Sequence, residues 1–523
     1  MARRPVALGR VAPGLLALAL VLALTFGCLA LVLLRAGGLG ALTPADMAAL
    51  RFTLLQAFLS ALFSTLLGVP IARALARRRF RGRALLITAL GAPFILPVLV
   101  ATLGLLAIFG RAGLLNQIGA WFGLPALSVY GLQGVLLAHL FLNLPLAVRM
   151  ILNGWAAIPP ERFRLAAALD LAPRDIARLI ERPMLRATLP GCFLAIFLVC
   201  LASFTVILIM GGGPRATSLG LAIYQAFRLD FNLPHAASLA GLQTAVSLVA
   251  ALAGLVLTSP ATFGAGRGLA RMAVPANPSL AARAMDAALL LSMTVGLALP
   301  LAMAVGAGLP ALAHLPPGVG GAALRSGVIA LGATLLALGL SLPIGLAIVT
   351  LRPAQGRLID AGAMLALTTS PLVLGTGLFL ALRPWTDPAA LALPITALVN
   401  ALAAMPFCLR ILLPDLTSQQ ADYGRLSDSL GLSGLTRLRL VTLPRLRRSL
   451  GYAAGLSAAL SMGDLGVITL FSDPDHATLP MVLFRLMGQY RMDQAYGVAV
   501  ILMALSLLMF LAFDRMGRTD ADA

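Results

Sequence analysis

The sequence predicts an all-α polytopic membrane protein made of two tandem halves of six helices each. Three observations predict it. Of the 523 residues, 60% are hydrophobic and only 11% charged, whereas about a quarter of an ordinary soluble domain is charged. The apolar residues gather in runs near the ~20 residues a helix needs to cross hydrocarbon. The pattern also repeats: PLAVR at 145–149 returns as PFCLR at 406–410, and 406 − 145 = 261.

Twelve spans are expected, at 13–34, 52–75, 85–109, 129–152, 187–210, 236–258, 284–308, 324–350, 358–382, 388–412, 449–471 and 495–513. The first follows Arg3, Arg4 and Arg10 like a leader. It is too long for one and no small-residue cleavage site follows, so it reads as an anchor.

The basic residues orient the chain. Net charge is +20, and the sequence contains no lysine, so every base is arginine. One continuous basic face would suggest nucleic acid. These arginines instead sit in short clusters between apolar runs, which excludes that class. They concentrate at the N-terminus and in the loops after spans two, four, six, eight and ten, for example Arg77, Arg78, Arg79, Arg81 and Arg83. The intervening loops are poorer in arginine, so the positive-inside rule places both termini in the cytoplasm. Cys28, Cys192, Cys200 and Cys408 lie in apolar runs without metal-ligand spacing and read as packing residues.

The repeat sets the domains. Gly82-Arg83 matches Gly356-Arg357, with 356 − 82 = 274, and Pro97 matches Pro371 at the same offset. The drop from 274 to 261 makes the loop around 110–128 longer in the first half. The halves are expected at 1–258 and 284–523, joined by a cytoplasmic connector at 259–283. Six spans per half is an even number, so the halves share one orientation and form a parallel repeat.

Two long basic loops carry one pattern, ERFRLAAALDLAPRDIARLIERPML at 161–185 and DYGRLSDSLGLSGLTRLRLVTLPRL at 422–446. At the 261 offset Arg164-Leu165 meets Arg425-Leu426, Ala166 meets Ser427, Asp170 meets Gly431, Ile180 meets Val441, and Pro183 meets Pro444. Each loop is expected to fold as helix, sharp turn, helix. Gly431 suits a left-handed helix end, and Asp170 holds the same position in the first loop. Small residues such as Ala166, Ala167 and Ser427 leave a shallow surface for a partner. Pro183 and Pro444 are expected to break the second helix before the membrane.

This spacing resembles the EAA loop of ABC importer permeases: E-A-A, three residues, Gly, nine residues, then I-x-L-P. The matching positions are Arg164, Leu165, Ala166, Asp170, Ile180 and Pro183 in the first loop. In the second they are Arg425, Leu426, Ser427, Gly431, Val441, Leu443 and Pro444. The opening Glu is absent from both copies, and the Gly from the first. The resemblance implies two halves of the type I importer (MetI-like) fold, each docking one ATP-binding subunit through its loop. A lysine-free chain has no Walker A motif, so the ATPase is expected on a separate partner, in two copies. The chain itself is expected to be neither an enzyme nor a cofactor carrier.

The fused layout resembles the iron(III) and thiamine permease group. LLQAFLSAL at 54–62, ILPVLVA at 95–101, YGLQGVLLAHLFLNLP at 130–145, GGGPRATSLGLAIYQA at 211–226 and SMGDLGVITLF at 461–471 look closest to its thiamine branch. This resemblance implies thiamine or its phosphates as solute, a periplasmic binding protein that delivers it, and the bacterial inner membrane as location. Iron(III) is the alternative solute, and a twelve-span secondary transporter a more distant alternative. Within the spans, Asp464 is an acid deep in an apolar run, where a charge is costly unless it faces a cavity or a partner. With Ser203 and Thr205 it is a candidate for the translocation path; the competing readings are a structural hydrogen bond for Asp464 and core packing for Ser203 and Thr205.

Overall fold

In the computed structural model, residues 8–36, 38, 40–91, 95–213, 216–257, 279–471 and 477–518 are described. The connector at 259–283 therefore lies mostly outside the described residues. Among those described, every regular element is helical.

The first half contains α1 (Leu8–Arg35), α2 (Pro44–Arg77), α3 (Val98–Phe109), α4 (Leu132–Ala156), the short loop helix α5 (Pro160–Ala168), α6 (Arg182–Leu201), α7 (Thr205–Met210) and α8 (Leu233–Leu257). The second contains α9 (Leu280–Ala311), α10 (Val319–Thr350), α11 (Pro353–Met364), α12 (Pro371–Leu382), α13 (Ala392–Ser429), α14 (Leu443–Met462), α15 (Ile468–Phe471) and α16 (Met492–Gly517).

Among the described residues ten helices are long and apolar enough to cross a membrane, or eleven if the pair Pro353–Thr368 and Pro371–Leu382, bent by 81°, is one span. The stretch expected as span eleven, 449–471, holds α14, which begins among Arg445, Arg447 and Arg448 and stops at Met462. Its uninterrupted apolar length is short because the backbone leaves the helix at Gly463. The expected span 388–412 is the reverse case: α13 runs 38 residues without interruption, past Pro406 and Pro414 and on into the second basic loop. In the first half Pro159 and Pro160 end that continuity; their mates, at 159 + 261 = 420 and 160 + 261 = 421, are Gln420 and Ala421, which a helix accommodates easily.

The first helix of each half also packs on the other half, although α9 keeps a close contact with its own half where Gly308 meets Tyr496 of α16. Gly377 of α12 leaves no room for a side chain against Cys28 of α1, and Gly104 of α3 none against Pro300 of α9. These are matching contacts, since 377 − 104 = 273 and 300 − 28 = 272. Gly14 of α1 is likewise closed off by Pro343 and Ala347 of α10. Small residues that let backbones approach are the main adhesive between helices in lipid, where apolar surface alone gives no drive to associate. An ion pair between Arg78 and Asp286 adds a polar tie between α2 and α9, with the Arg78 Nε 2.6 Å from the carboxylate.

Candidate functional site: two basic loops and two helix breaks

Both basic loops turn the same way. Helix α5 ends with Asp170 at φ +47° and α13 ends with Gly431 at φ +66°. The Leu171 N–H donates to the Ala166 carbonyl at 3.0 Å, and the Leu432 N–H to the Ser427 carbonyl at 2.9 Å. This is the closing bond of a left-handed helix cap. Ala166 and Ser427 are buried beneath the turn, as is Ile180, whereas Arg164, Leu165, Ala167 and Arg425 are exposed.

Beyond the turn each loop carries a π-helical turn, Ala177–Glu181 in one and Leu438–Thr442 in the other, and 438 − 177 = 261. The Arg182 N–H reaches the Ala177 carbonyl and the Leu443 N–H the Leu438 carbonyl. This feature corrects the expectation for Pro183 and Pro444. Neither breaks its helix: each occupies the first turn of the next one. There a proline ring fits, and its missing N–H is one the helix would not use. Residues Pro173–Leu201 therefore run as one long rod, and such single-turn widenings often mark functional positions.

The loops also share an exposed apolar face that sequence reading caught only in part. Leu165, Leu169 and Leu179 are 61%, 62% and 61% exposed, and their mates Leu426, Leu430 and Leu440 are 53%, 64% and 62% exposed. Leu179 and Leu440 went unnoticed, although leucines recurring at the 261 offset inside arginine-rich segments would have shown them. Their supports differ. Glu181, buried, pairs with Arg73 at 3.1 Å and Arg77 at 2.7 Å and so ties the first loop to α2. The second loop is tied internally, by Arg437 to Asp428 at 3.3 Å and to Gln420 at 2.8 Å, with Arg445 lying 4.0 Å over the Tyr423 ring.

Deeper in, two helices stop and restart. Residues 202–204 separate α6 from α7, and residues 463–467 separate α14 from α15. Ser203 lies in the first break and Asp464 in the second, and 464 − 203 = 261. Non-helical backbone at membrane depth persists only where protein surrounds it or a cavity meets it. The Ser203 hydroxyl is 2.9 Å from His139 Nε2, and His139 Nδ1 is 3.0 Å from the Ser60 hydroxyl on α2. The Asp464 carboxylate accepts from the Gly466 N–H at 3.2 Å and the Val467 N–H at 3.4 Å. Asn400 of α13 donates to the Ser461 hydroxyl at 3.0 Å and to the Ser461 carbonyl at 3.4 Å. Thr205, half-buried, opens α7. The breaks face the seam between the halves: Gly463 packs on Pro97, and Gly466 sits beside Phe204.

His139 and Asn400 were not singled out by sequence, since one polar residue inside an apolar helix resembles any other satisfied core group. Further along α4 and α13 a small recess with a cavity volume of about 40 Å³ opens in the same seam. Its walls include the repeat mates Leu146 and Phe407, and Met150 and Ile411, along with Arg149, whose guanidinium donates to the Tyr452 hydroxyl at 2.9 Å. Arg410, the mate of Arg149, instead pairs with Asp360 at 3.2 Å.

No protein-family model matches the chain. It is 39% identical over 537 aligned positions, covering 100% of this chain and 97% of the relative, to the thiamine transport system permease protein ThiP of Brucella abortus (strain 2308). It is 38% identical to the protein of the same name in Escherichia coli (strain K12), with 89% of this chain and 88% of that one covered. A more distant likeness, 30% over 39% of this chain, is to the sulfate transport system permease protein CysT of Salmonella typhimurium. With its apolar helices, its repeated loops and similarity along its whole length, this multi-pass membrane protein belongs to the family of thiamine transport system permeases.

Proposed function

We propose that this chain forms the translocation pathway of an ABC importer for thiamine or its phosphates in the bacterial inner membrane. One observation carries the coupling part of this reading: the matched exposed leucines of the two basic loops. Scattered exposed apolar residues are ordinary, but two equivalent patches on arginine-rich segments outside the apolar spans call for protein partners. Two patches on one polypeptide fit two copies of an ATP-binding subunit and one copy of this chain. ATP hydrolysis then belongs to those partners, and a periplasmic binding protein delivers the solute. Twelve crossings, with both termini in the cytoplasm, place both loops on one side of the membrane. The coupling residues are those of 161–185 and 422–446 set out above.

The path runs along the seam, past Ser203, Thr205 and Asp464 at the breaks and toward the recess at Arg149. Arg149 lies ten residues beyond His139 on α4, a rise of about 15 Å. Thiamine carries a cationic thiazolium, which the Asp464 carboxylate can meet. The names of the relatives favour thiamine over iron(III) as solute. Uptake of labelled thiamine against labelled iron, in cells lacking the chain and in cells complemented with it, tests the reading. Restored uptake of iron and not of thiamine overturns it.

A further inference from the structure

The first basic loop is joined to both halves by charge. Glu181 closes its π-helical turn and is 3% exposed. Each oxygen of its carboxylate has an arginine of its own. Arg77 donates to Oε1 from Nε at 3.1 Å and from Nη2 at 2.7 Å, and Arg73 Nε lies 3.1 Å from Oε2. The two arginines stand four residues apart, on one face at the end of α2. The next residue, Arg78, turns to the other half and pairs with Asp286 of α9. The repeat mates of these residues cannot make the same joint. Glu181 corresponds to Thr442 at the 261 offset. Pro70-Ile71 matches Pro343-Ile344, with 343 − 70 = 273, which sets Leu346, Thr350 and Leu351 against Arg73, Arg77 and Arg78. Asp286 corresponds to Gly14, since 286 − 14 = 272.

We propose that Glu181 is a positioning residue for coupling: through Arg73 and Arg77 it fixes the first loop to α2, and through Arg78 and Asp286 that end of α2 carries the loop's displacement into the second half. This rests on the reading of 161–185 as a coupling loop. A buried carboxylate parted from its cations is left uncompensated, so Glu181 and α2 move as one body when a partner shifts the loop. Packing between apolar side chains is non-directional and imposes no such registration. The second loop, with Thr442 at the matching position, has no charge there to bind it to α10. The two loops are therefore unequal, and the first one sets both halves in motion.

The test uses proteoliposomes containing the whole chain with its ATP-binding and solute-binding partners. Uptake of labelled thiamine and ATP hydrolysis are measured together, giving solute moved per ATP, alongside retention of the ATP-binding subunit and the melting temperature of each variant. Glu181→Gln is expected to keep the subunit and its hydrolysis and to lower solute per ATP about tenfold. Glu181→Asp, which keeps the charge, is expected to restore part of it. Asp286→Asn is expected to lower the same ratio with the first loop still anchored. The double variant is expected to fall no further than the lower of the two single ones, because both act on one relay. The proposal is overturned if Glu181→Gln lowers uptake and hydrolysis together at a constant ratio, if it leaves both unchanged, or if the two losses multiply in the double variant. Should Glu181→Gln not fold, Asp286→Asn decides alone, and an unchanged ratio there overturns the proposal. The double variant Leu165→Ser, Leu169→Ser in the same assay separates the two levels. Full retention of the subunit there defeats the coupling-loop reading itself, while its loss there with an unchanged ratio in Glu181→Gln defeats only the present proposal.

Discussion

Ser203 and Asp464 are the same residue of a repeated half, 261 positions apart, and each sits where a membrane helix is interrupted. The Asp464→Asn variant is expected to insert and bind its ATP-binding partners normally, because one side-chain oxygen remains to cap the Gly466 N–H. Thiamine uptake is expected to fall at least about tenfold at matched protein level, because the shape stays and the charge goes. Wild-type uptake would leave Asp464 with a capping role alone.

The left-handed turns of the basic loops give a second prediction. Gly431→Val forces a β-branched residue into φ > 0 at a cost of about 1–2 kcal/mol, and retention of the ATP-binding subunit on a pull-down is expected to drop. Asp170 already occupies the same conformation, so Asp170→Gly is expected to stabilise the first loop by about 1 kcal/mol. Thermal unfolding in detergent reads the Asp170 effect. A lowered melting temperature in that variant would contradict the turn geometry.

Substituting the exposed leucines separates docking from folding. The double variant Leu165→Ser, Leu169→Ser removes apolar surface that touches little of the chain itself, so its melting temperature is expected to change by less than a few degrees. Co-purification of the ATP-binding subunit is expected to fall by half or more, since one of two docking patches is lost. Full retention would show that these leucines face something else.

Topology and assembly can be read directly. Reporter fusions after residues 80, 175 and 435 are expected to report cytoplasm, and fusions near 118 and 220 periplasm. Native mass measurement of the assembled importer is expected to give one copy of this chain with two ATP-binding subunits. A cytoplasmic signal at 220, or two copies of the chain, would break the six-plus-six arrangement.

The register of the loops was legible in the sequence because arginine clusters and turn residues mark them independently of packing. The left-handed turn at Gly431 followed from glycine chemistry, and its counterpart at Asp170 from the 261 offset alone. The helix breaks were less visible. Hydropathy sums side chains and does not register where backbone hydrogen bonding stops, so 449–471 read as one apolar span although it holds a break at Gly463 and Asp464. The π-helical turns before Pro183 and Pro444 escaped for the same reason. The placing of α1 and α9 against the opposite halves was hidden as well, because a helix apolar on all sides carries no signal of which neighbour it will meet.

That exchange of first helices has a bearing on how the chain is made. Helix α1 is complete at Arg35, yet the helix it packs against most closely, α10, begins at Val319, so 319 − 35 − 1 = 283 residues lie between them. At ordinary synthesis rates α1 waits on the order of 15–60 s in the bilayer before its partner emerges from the ribosome. During that time its small-residue face is open to lipid and to other nascent helices, so this stage of biogenesis is the one most exposed to mispairing and to membrane quality-control proteases. A ribosome stalled after the first half would leave a product whose opening helix keeps its contacts with α8, such as Val32 and Ala36 with Ala237, and lacks those with α10 and α12.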